Sequence, residues 1–307
     1  MISGSNMIPD FQSVFLPYLK FFSDGKNHSS RELEDALAIQ YKITDEERRE
    51  MIPSGRAKKF ANRVAWAGTY LRQAHLVENV SRGVYRITPQ GQKLLAEKPD
   101  KLNIKSLKRF PEFQEFQSRF GSGSKTEEQH EESVSQTPLE VLDSTYQSLR
   151  NELATELLSK LKAASPTFFE QAVIDLLVAM GYGGSLAEAA SLTRRGSDEG
   201  IDGIIKEDKL GLDTIYVQAK RWEGPVGRPT VQAFSGSLDG FRARKGVMLT
   251  TSRFSADARD YVAKIEKKIV LIDGEELSKL MIDHNIGVAE SQNYIIKRID
   301  ADYFGEE

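Results

Sequence analysis

The sequence predicts two domains that mix helix and strand: an N-terminal winged helix at residues 7–98 and a C-terminal α+β or α/β domain at residues 137–307. In the first domain, helices are followed by a β-hairpin. In the second, two short strands lead into alternating strands and helices, which is typical of a mixed β-sheet flanked by helices. Between them, residues 99–136 lose periodicity and carry Gly-Ser and acidic runs, so we interpret them as a flexible linker.

The composition excludes several classes of protein. The 307 residues have 28% charged and 39% hydrophobic side chains and a net charge of −3, which fits a soluble globular chain. Without cysteine, the chain can form neither disulfides nor zinc knuckles, and a reducing cytoplasm is the expected location. The four histidines form no close pair, which argues against zinc chemistry. We find neither an apolar run of membrane-spanning length nor a signal-peptide pattern.

Four helices are predicted before the hairpin. The first covers Phe11–Phe22, and the second begins after Ser29 or Ser30, either of which can cap it. Thr44 opens a third, short helix with a capping box. The fourth is long, from about Arg56 to Ala74, and has a regular apolar stripe on one face and polar, basic side chains on another.

The hairpin is predicted from two strand-like segments at 74–80 and 84–87, which flank the turn Ser81-Arg82-Gly83. Thr88 then caps a last helix that begins at Pro89. A basic helix beside an arginine-bearing wing is typical of winged helices that bind duplex DNA in the major groove and along the backbone. The alternative is a winged helix that contacts only proteins.

Charge is unevenly distributed, which favours DNA as the partner of this domain. Residues 55–95 carry eight Lys and Arg against one acid, whereas residues 1–54 carry six basic and nine acidic side chains. Such a basic bias can serve phosphate contacts in a chain that is acidic overall. The predicted DNA-contacting residues are Lys58, Lys59, Asn62, Arg63, Arg72, Arg82 and Arg86.

The second domain opens with two predicted helices. The first runs from Thr137 to Lys162, and its leucines are expected to form one apolar face: Leu142, Leu149, Leu153, Leu157 and Leu161. The second begins at Ser165-Pro166, with Phe168 expected to pack on the sheet and Glu170 in the first turn. Strands are then predicted at 187–194, 201–205, 214–221, 246–250 and 269–272, and helices at 230–241, 256–265 and 274–284.

The strand at 214–221 places two chemically useful side chains on one face. Its period-two pattern puts Gln218 and Lys220 on one side and the small apolar residues on the other. If this strand pairs with the one at 201–205, Asp202 comes close to both. Mg²⁺ prefers oxygen ligands, so Asp202, the side-chain oxygen of Gln218 and the backbone carbonyl near Ala219 form a candidate metal site. Lys220 is placed to orient water for phosphodiester hydrolysis, and an exposed hairpin with ordinary surface charges is the alternative.

These segments resemble a known family. GSDEGIDG followed by VQAKRW is similar to the catalytic motif of the Mrr restriction endonucleases, a branch of the PD-(D/E)xK nuclease fold, in which the pattern is G-x-G-D-G-G-[IV]-D-G and then Q-A-K. RVAWAGTYLRQAHLVENVSRGVYRITPQG resembles the family's N-terminal domain, and KGVMLTTSRFSADARDYV and VLIDGEELSKLMIDHNIGV resemble later parts. The resemblance therefore extends over nearly the whole chain.

The resemblance implies a type IV endonuclease that cuts double-stranded DNA with methylated bases, using Mg²⁺ or, as a substitute, Mn²⁺. Asp202, Gln218 and Lys220 fall on the family's metal-ligand and catalytic positions, and Glu170 matches an acid near its active site. Asp198 and Gln232 are supporting candidates. Glu199 stands where the family has glycine, which leaves the loop conformation open.

Several alternatives remain at this level. Glu170 can instead interact with the dipole of its helix, and the hydroxyls of 250–252 can touch phosphate or merely form a turn. A catalytically silent DNA-binding regulator and a junction-resolving or repair nuclease are the other functional hypotheses. Because cutting both strands needs two sites, we expect a homodimer or a higher homo-oligomer.

Overall fold

The computed structural model describes residues 8–119, 136–183, 200–207 and 212–297, together with Ile299 and Tyr303. The chain divides into two compact units, Met1–Ser148 with Ile296–Glu307 and Leu149–Ile295. In the described part of the chain, no helix combines the length and apolar character needed to cross a bilayer.

The first unit is a winged helix with additional helices. Its helices are α1 (Phe15–Phe21), α2 (Ser30–Gln40), α3 (Asp45–Arg49), α4 (Lys59–Gln73), α5 (Pro89–Ala96), α6 (Ile104–Leu107) and α7 (Pro111–Arg119). Its strands are β1 (His28–Ser29), β2 (Val77–Ser81) and β3 (Val84–Ile87), which form an antiparallel sheet in the order β1-β3-β2. The predicted caps are present, because Ser29 and Thr44 each form a capping box and Thr88 caps α5.

Part of the stretch predicted as a linker belongs to the core of this unit. The predicted stripe of α4 is buried, and Trp66 and Tyr70 pack against the same core. Leu107 and Phe113, on α6 and α7, are fully buried in it as well. The beginning of the stretch predicted as a linker therefore belongs to the folded unit, which uses its aromatic side chains for packing. The rest of that stretch, residues 120–135, lies outside the described residues.

The second unit is built on a mixed sheet. Its helices are α8 (Pro138–Ala163, which begins in the first unit), α9 (Pro166–Ala179), α10 (Arg228–Gly240), α11 (Ala256–Lys264) and α12 (Gly274–Asp283). Its strands are β4 (Gly203–Lys206), β5 (Thr214–Lys220), β6 (Lys245–Thr250) and β7 (Lys268–Ile272), in the order β4-β5-β6-β7. β4 and β5 are antiparallel, and the other pairs are parallel. The strand predicted at 187–194 lies outside the described residues.

Helices cover both faces of this sheet. Buried side chains of α8, α9 and α12 pack on one face, and those of α10 and α11 pack on the other. Two packing predictions need correction. Phe169 rather than Phe168 is buried against the sheet, since one residue turns a helix by about 100°. On α8, Leu157 and Leu161 are buried, whereas Leu142, Leu149 and Leu153 are exposed.

Candidate active site

The pairing of β4 with β5 fixes Asp202 beside the segment that carries Gln218 and Lys220. Gly203 lies opposite Val217, and the Asp202 N–H donates to the Val217 carbonyl at 2.9 Å. The Ala219 N–H in turn donates to Oδ2 of Asp202 at 2.7 Å. The predicted proximity of the carboxylate to this part of β5 is therefore confirmed.

Strand alternation sorts the side chains of β5 as predicted. Ile215, Val217 and Ala219 enter the core formed with α9 and α12. Gln218 points to the other face and is only 5% exposed, while Lys220 at the end of the strand is half-buried. A buried amide must find hydrogen-bond partners or a ligand, so the environment of Gln218 determines what this site can do.

The amide of Gln218 is oriented by a backbone carbonyl. Its Nε2 donates to the Gly200 oxygen at 2.6 Å, whereas its Oε1 is buried and has no hydrogen-bond partner in the part of the chain that the structure describes. Gly200 has φ +73°, and a Cβ at this position would lie 3.0 Å from Nε2. Because the nitrogen is committed to Gly200, the oxygen is the atom of this amide that is available to a ligand. Leaving such an acceptor unsatisfied costs about 1–3 kcal/mol, which a bound cation would offset.

Glu170 lies close enough to Asp202 and Lys220 to interact with both. Burial raises the pKa of the Glu170 carboxyl, the Asp202 carboxylate raises it further, and the Lys220 ammonium opposes the rise. The first turn of α9, which Ser165 caps, contains no acidic residue, so the prediction that Glu170 lies in that turn is wrong. The helix dipole acts mainly on the first turn, which favours the site interpretation of Glu170 over the dipole interpretation.

The assembled groups fit a hard divalent cation. The carboxylates of Asp202 and Glu170 lie near each other and near Lys220, Gln218 precedes Ala219, to which Asp202 is hydrogen-bonded, and oxygen ligands of these kinds suit Mg²⁺. Among the described residues, no three His, Cys, Asp or Glu side chains form a metal-binding group. An amide at position 218 carries no charge, whereas an acid there would, and the smaller negative charge predicts weak metal binding. The carbonyl of Ala219 remains a predicted ligand.

Two buried threonines anchor the end of β5. The Thr250 hydroxyl donates to the Lys220 carbonyl at 2.8 Å. The Thr251 hydroxyl accepts from the Trp222 N–H at 3.1 Å and lies 3.0 Å from the Trp222 carbonyl, to which it donates. These hydroxyls are used within the fold, which favours the structural interpretation over phosphate contact. The sequence did not predict this role. It follows from the parallel register of β5 and β6, which places Thr250 opposite Lys220.

Two other predicted site residues are not tested by the structure. Gln232 is exposed on α10, and no hydrogen bond among the described residues connects it to the four residues above. Asp198, like Glu199, lies outside the described residues. Both candidates stay predictions.

The structure corrects the prediction that Arg63 contacts DNA. Its Nε donates to Glu140 at 3.0 Å, and Nη1 donates to the carbonyls of Ile8 and Pro9 at 3.2 and 2.9 Å. The side chains of Arg63 and Glu140 are 12% and 5% exposed. The guanidinium therefore serves a buried ion pair at the start of α8, and phosphate cannot reach it without breaking that pair.

Asn62 and Arg72 are also used inside the first unit. The Asn62 amide donates to the Thr137 hydroxyl at 2.7 Å. Arg72 donates to Thr69, and its guanidinium lies over the Tyr85 ring, 5.0 Å from the centroid. Both side chains thus have internal contacts, and their assignment to DNA binding stays a prediction.

The remaining basic candidates lie at the surface. Lys59 pairs with Glu50 at 2.7 Å, and Arg86 pairs with Glu78 at 2.6 Å. The Arg86–Glu78 pair is exposed and the Lys59–Glu50 pair is partly buried; an exposed pair contributes little to stability, so Arg86 can exchange its partner for a phosphate. Lys58 at the start of α4 and Arg82 at the wing turn are exposed. These four stay predicted DNA contacts.

Comparisons with known proteins place both units in one family. A family model described as "Restriction endonuclease" (Mrr_cat) matches residues 161–281, and one described as "Mrr N-terminal domain" matches residues 11–97. The chain is similar to "Type IV methyl-directed restriction enzyme EcoKMrr" of Escherichia coli (strain K12). The two are 36% identical over 311 residues, which cover 97% of this chain and 99% of that enzyme.

Two solved structures show weaker likeness. "DNA modification-dependent restriction endonuclease AspBHI" is 18% identical with a TM-score of 0.36 and covers 45% of this chain and 36% of its own. "MspJI Restriction Endonuclease in Complex with 27-mer Oligonucleotide" is 21% identical with a TM-score of 0.28 and covers 54% of this chain and 36% of its own. Neither likeness enters the arguments below.

Proposed function

Because this chain belongs to the Mrr family of restriction endonucleases, we propose that it hydrolyses phosphodiester bonds in double-stranded DNA that carries methylated bases. The observation that carries the proposal is the buried Oε1 of Gln218, which has no hydrogen-bond partner among the described residues and belongs to the strand whose Ala219 N–H binds Asp202. A buried polar atom without a partner is rare in folded proteins, and a metal-binding role explains why it is kept. The relative from Escherichia coli is named for methyl-directed restriction, which supports the choice of substrate.

The proposed mechanism divides the work among four side chains. Asp202, fixed by the Ala219 N–H, and the amide oxygen of Gln218 would hold Mg²⁺, or Mn²⁺ in its place, together with the carbonyl of Ala219. When bound, the cation supplies Lewis acidity toward the phosphoryl oxygen and the attacking water. The ammonium of Lys220 orients that water and stabilises the charge that develops on the phosphoryl group. Glu170 adds a second carboxylate beside Asp202.

The first unit is proposed to bind the duplex. Lys58 and Arg82 are exposed at the start of α4 and at the wing turn, and residues 55–95 carry the basic bias. Contacts to phosphates give affinity that falls as salt rises, while readout of the modified base requires contacts in a groove or with an extruded base. Since restriction acts on DNA that has entered the cell, we propose the cytoplasm as its location.

We also propose that the active form is a homodimer or a higher homo-oligomer. Two strands need two sites, and exposed apolar side chains recur along α8 at intervals of four, three and four residues: Leu142, Tyr146, Leu149 and Leu153. That spacing is typical of a helix that pairs with another helix. In sedimentation experiments, the wild type is expected to dimerise and Leu149→Glu to weaken association. A wild type that stays monomeric even on DNA would contradict the proposal.

Plasmid cleavage tests the proposed reaction. Methylated and unmethylated plasmids are incubated with the wild type in Mg²⁺, Mn²⁺ or EDTA, and Lys220→Ala serves as the catalytic control. We expect the wild type to cleave methylated DNA in the presence of the metal, and we expect no cleavage in EDTA or by Lys220→Ala. Binding of DNA without any cleavage would instead support the silent regulator, and preference for branched over linear DNA would support a junction nuclease.

A further inference from the structure

An exposed aromatic side chain lies next to the proposed active site. Trp222 follows Lys220 by two residues and is 43% exposed. Tryptophan usually buries most of its large apolar surface, so an exposed ring beside a catalytic lysine is costly unless something binds it. Phe168 is also exposed, at 58%, and precedes Glu170 by two residues on α9.

The backbone of Trp222 is held in place although its ring is exposed. The buried Thr251 hydroxyl accepts from the Trp222 N–H and donates to the Trp222 carbonyl. Thr250 fixes the carbonyl of Lys220 in the same way. The backbone that carries the indole is therefore fixed relative to Lys220. A fixed residue loses little conformational entropy when it binds a substrate, which favours a binding role.

Basic side chains accompany the exposed ring. Arg253, which follows Thr251 by two residues, is exposed, and Arg221 is exposed as well, although its guanidinium donates to the Lys162 carbonyl at 2.7 Å. Aromatic rings next to cations are the combination that binds unstacked nucleotides, with the ring stacking on a base and the cations facing phosphates. Proteins that contact only the paired duplex do not need such a ring, because the base faces are covered by their neighbours.

From these observations we propose that Trp222 stacks on a nucleobase of the cleaved strand next to the scissile phosphate, so that the DNA is locally unstacked when it is cut. The inference rests on the proposed function, since it assumes that DNA occupies this site. Trp222 positions the substrate, and the metal-binding groups perform the chemistry. Unstacking is cheapest at a modified or distorted step, so this contact contributes to the choice of substrate.

Cleavage kinetics on a methylated duplex oligonucleotide test the contact. Loss of one base–aromatic stack weakens binding on the order of tenfold. We therefore expect Trp222→Ala to raise KM by about that factor with kcat little changed, and Trp222→Phe to stay close to the wild type. Tyr294→Ala, which removes an exposed aromatic ring from the C-terminal segment, is the matched control and should leave KM unchanged. The melting temperature of Trp222→Ala should equal that of the wild type.

Fluorescence gives a second readout that does not require cleavage. The chain has two tryptophans, so Trp66→Phe leaves Trp222 as the single reporter. Adding the oligonucleotide in EDTA should quench its emission, since stacking on a base quenches indole. If Trp66→Phe does not fold, the kinetic and melting comparisons still decide the question.

The outcomes separate the two proposals. Efficient cleavage by the wild type together with an unchanged KM for Trp222→Ala would overturn the stacking contact and leave the proposed function intact. If the wild type cuts no DNA while the oligonucleotide still quenches Trp222, the contact stands and the proposed reaction fails. No quenching in the folded single-tryptophan variant, with DNA bound, would also overturn the contact.

Discussion

Replacing Gly200 with alanine perturbs the orientation of the Gln218 amide, on which the proposed metal site depends. Gly200 has φ +73°, where a residue with a Cβ is strained by about 1–2 kcal/mol. The new Cβ would lie 3.0 Å from Nε2 of Gln218, so the amide has to shift and its 2.6 Å hydrogen bond weakens, at a cost of about 1 kcal/mol.

Gly181 provides a matched control for this substitution. It also has positive φ, at +99°, but no atom of the described residues lies within 4 Å of its Cβ position. Gly181→Ala should therefore lower the unfolding free energy by about 1–2 kcal/mol, and Gly200→Ala by about 2–3 kcal/mol. For a unit of this size, each 1 kcal/mol corresponds to roughly 2–4 °C in melting temperature.

Thermal melts and plasmid cleavage should separate the two variants. Below both melting temperatures, Gly181→Ala is expected to cut like the wild type, whereas Gly200→Ala should need more Mg²⁺ and cut more slowly because the amide oxygen is displaced. If folded Gly200→Ala cuts like Gly181→Ala with the same Mg²⁺ dependence, the orientation of Gln218 by Gly200 has no role in the site.

Four further predictions concern both units. Arg63→Ala should destabilise the first unit by about 3–5 kcal/mol in urea melts, because it leaves Glu140 buried and unpaired. Lys58→Ala should keep the stability of the wild type, weaken DNA binding and lower the number of ions released on binding by about one. Equal stability of Arg63→Ala and Lys58→Ala would contradict the difference predicted between these variants. Burial raises the pKa of Tyr41 to about 12, so its contribution to stability is complete below its unfolded pKa, about 10, and is lost as pH rises through 12. Tyr41→Phe should flatten that alkaline decline in urea melts, and an unchanged slope would refute it. In calorimetry, Glu170→Ala should bind Mg²⁺ more weakly than the wild type, and equal affinities would remove Glu170 from the metal site.

Local signals in the sequence were sufficient for most elements. The caps at Ser29, Thr44 and Thr88 depend on residues within three positions, and the structure has all three. Alternation along β5 depends on the geometry of one strand, so it predicted correctly that Gln218 and the small apolar residues face opposite sides. Pairing with β4 then followed from the short connection, which brought Asp202 into place.

The side-chain roles that the sequence could not predict depend on contacts with residues elsewhere along the chain. Arg63 looks like a DNA contact on an isolated helix, but its partner Glu140 is 77 positions away. Phe168 and Phe169 are both apolar, and only the docking of α9 on the sheet decides which of them is buried. The direction of the Gln218 amide likewise depends on the carbonyl of Gly200, because no sequence pattern specifies which amide atom faces the site.

Binding of Mn²⁺, followed by electron paramagnetic resonance in the absence of DNA, tests most directly whether these side chains form one cation site. The wild type is expected to bind one Mn²⁺ per chain at the site, with affinity reduced in Asp202→Asn and Gln218→Leu and little affected in Gln232→Ala. Equal binding of Mn²⁺ by the wild type and the folded Asp202→Asn and Gln218→Leu variants would contradict the account.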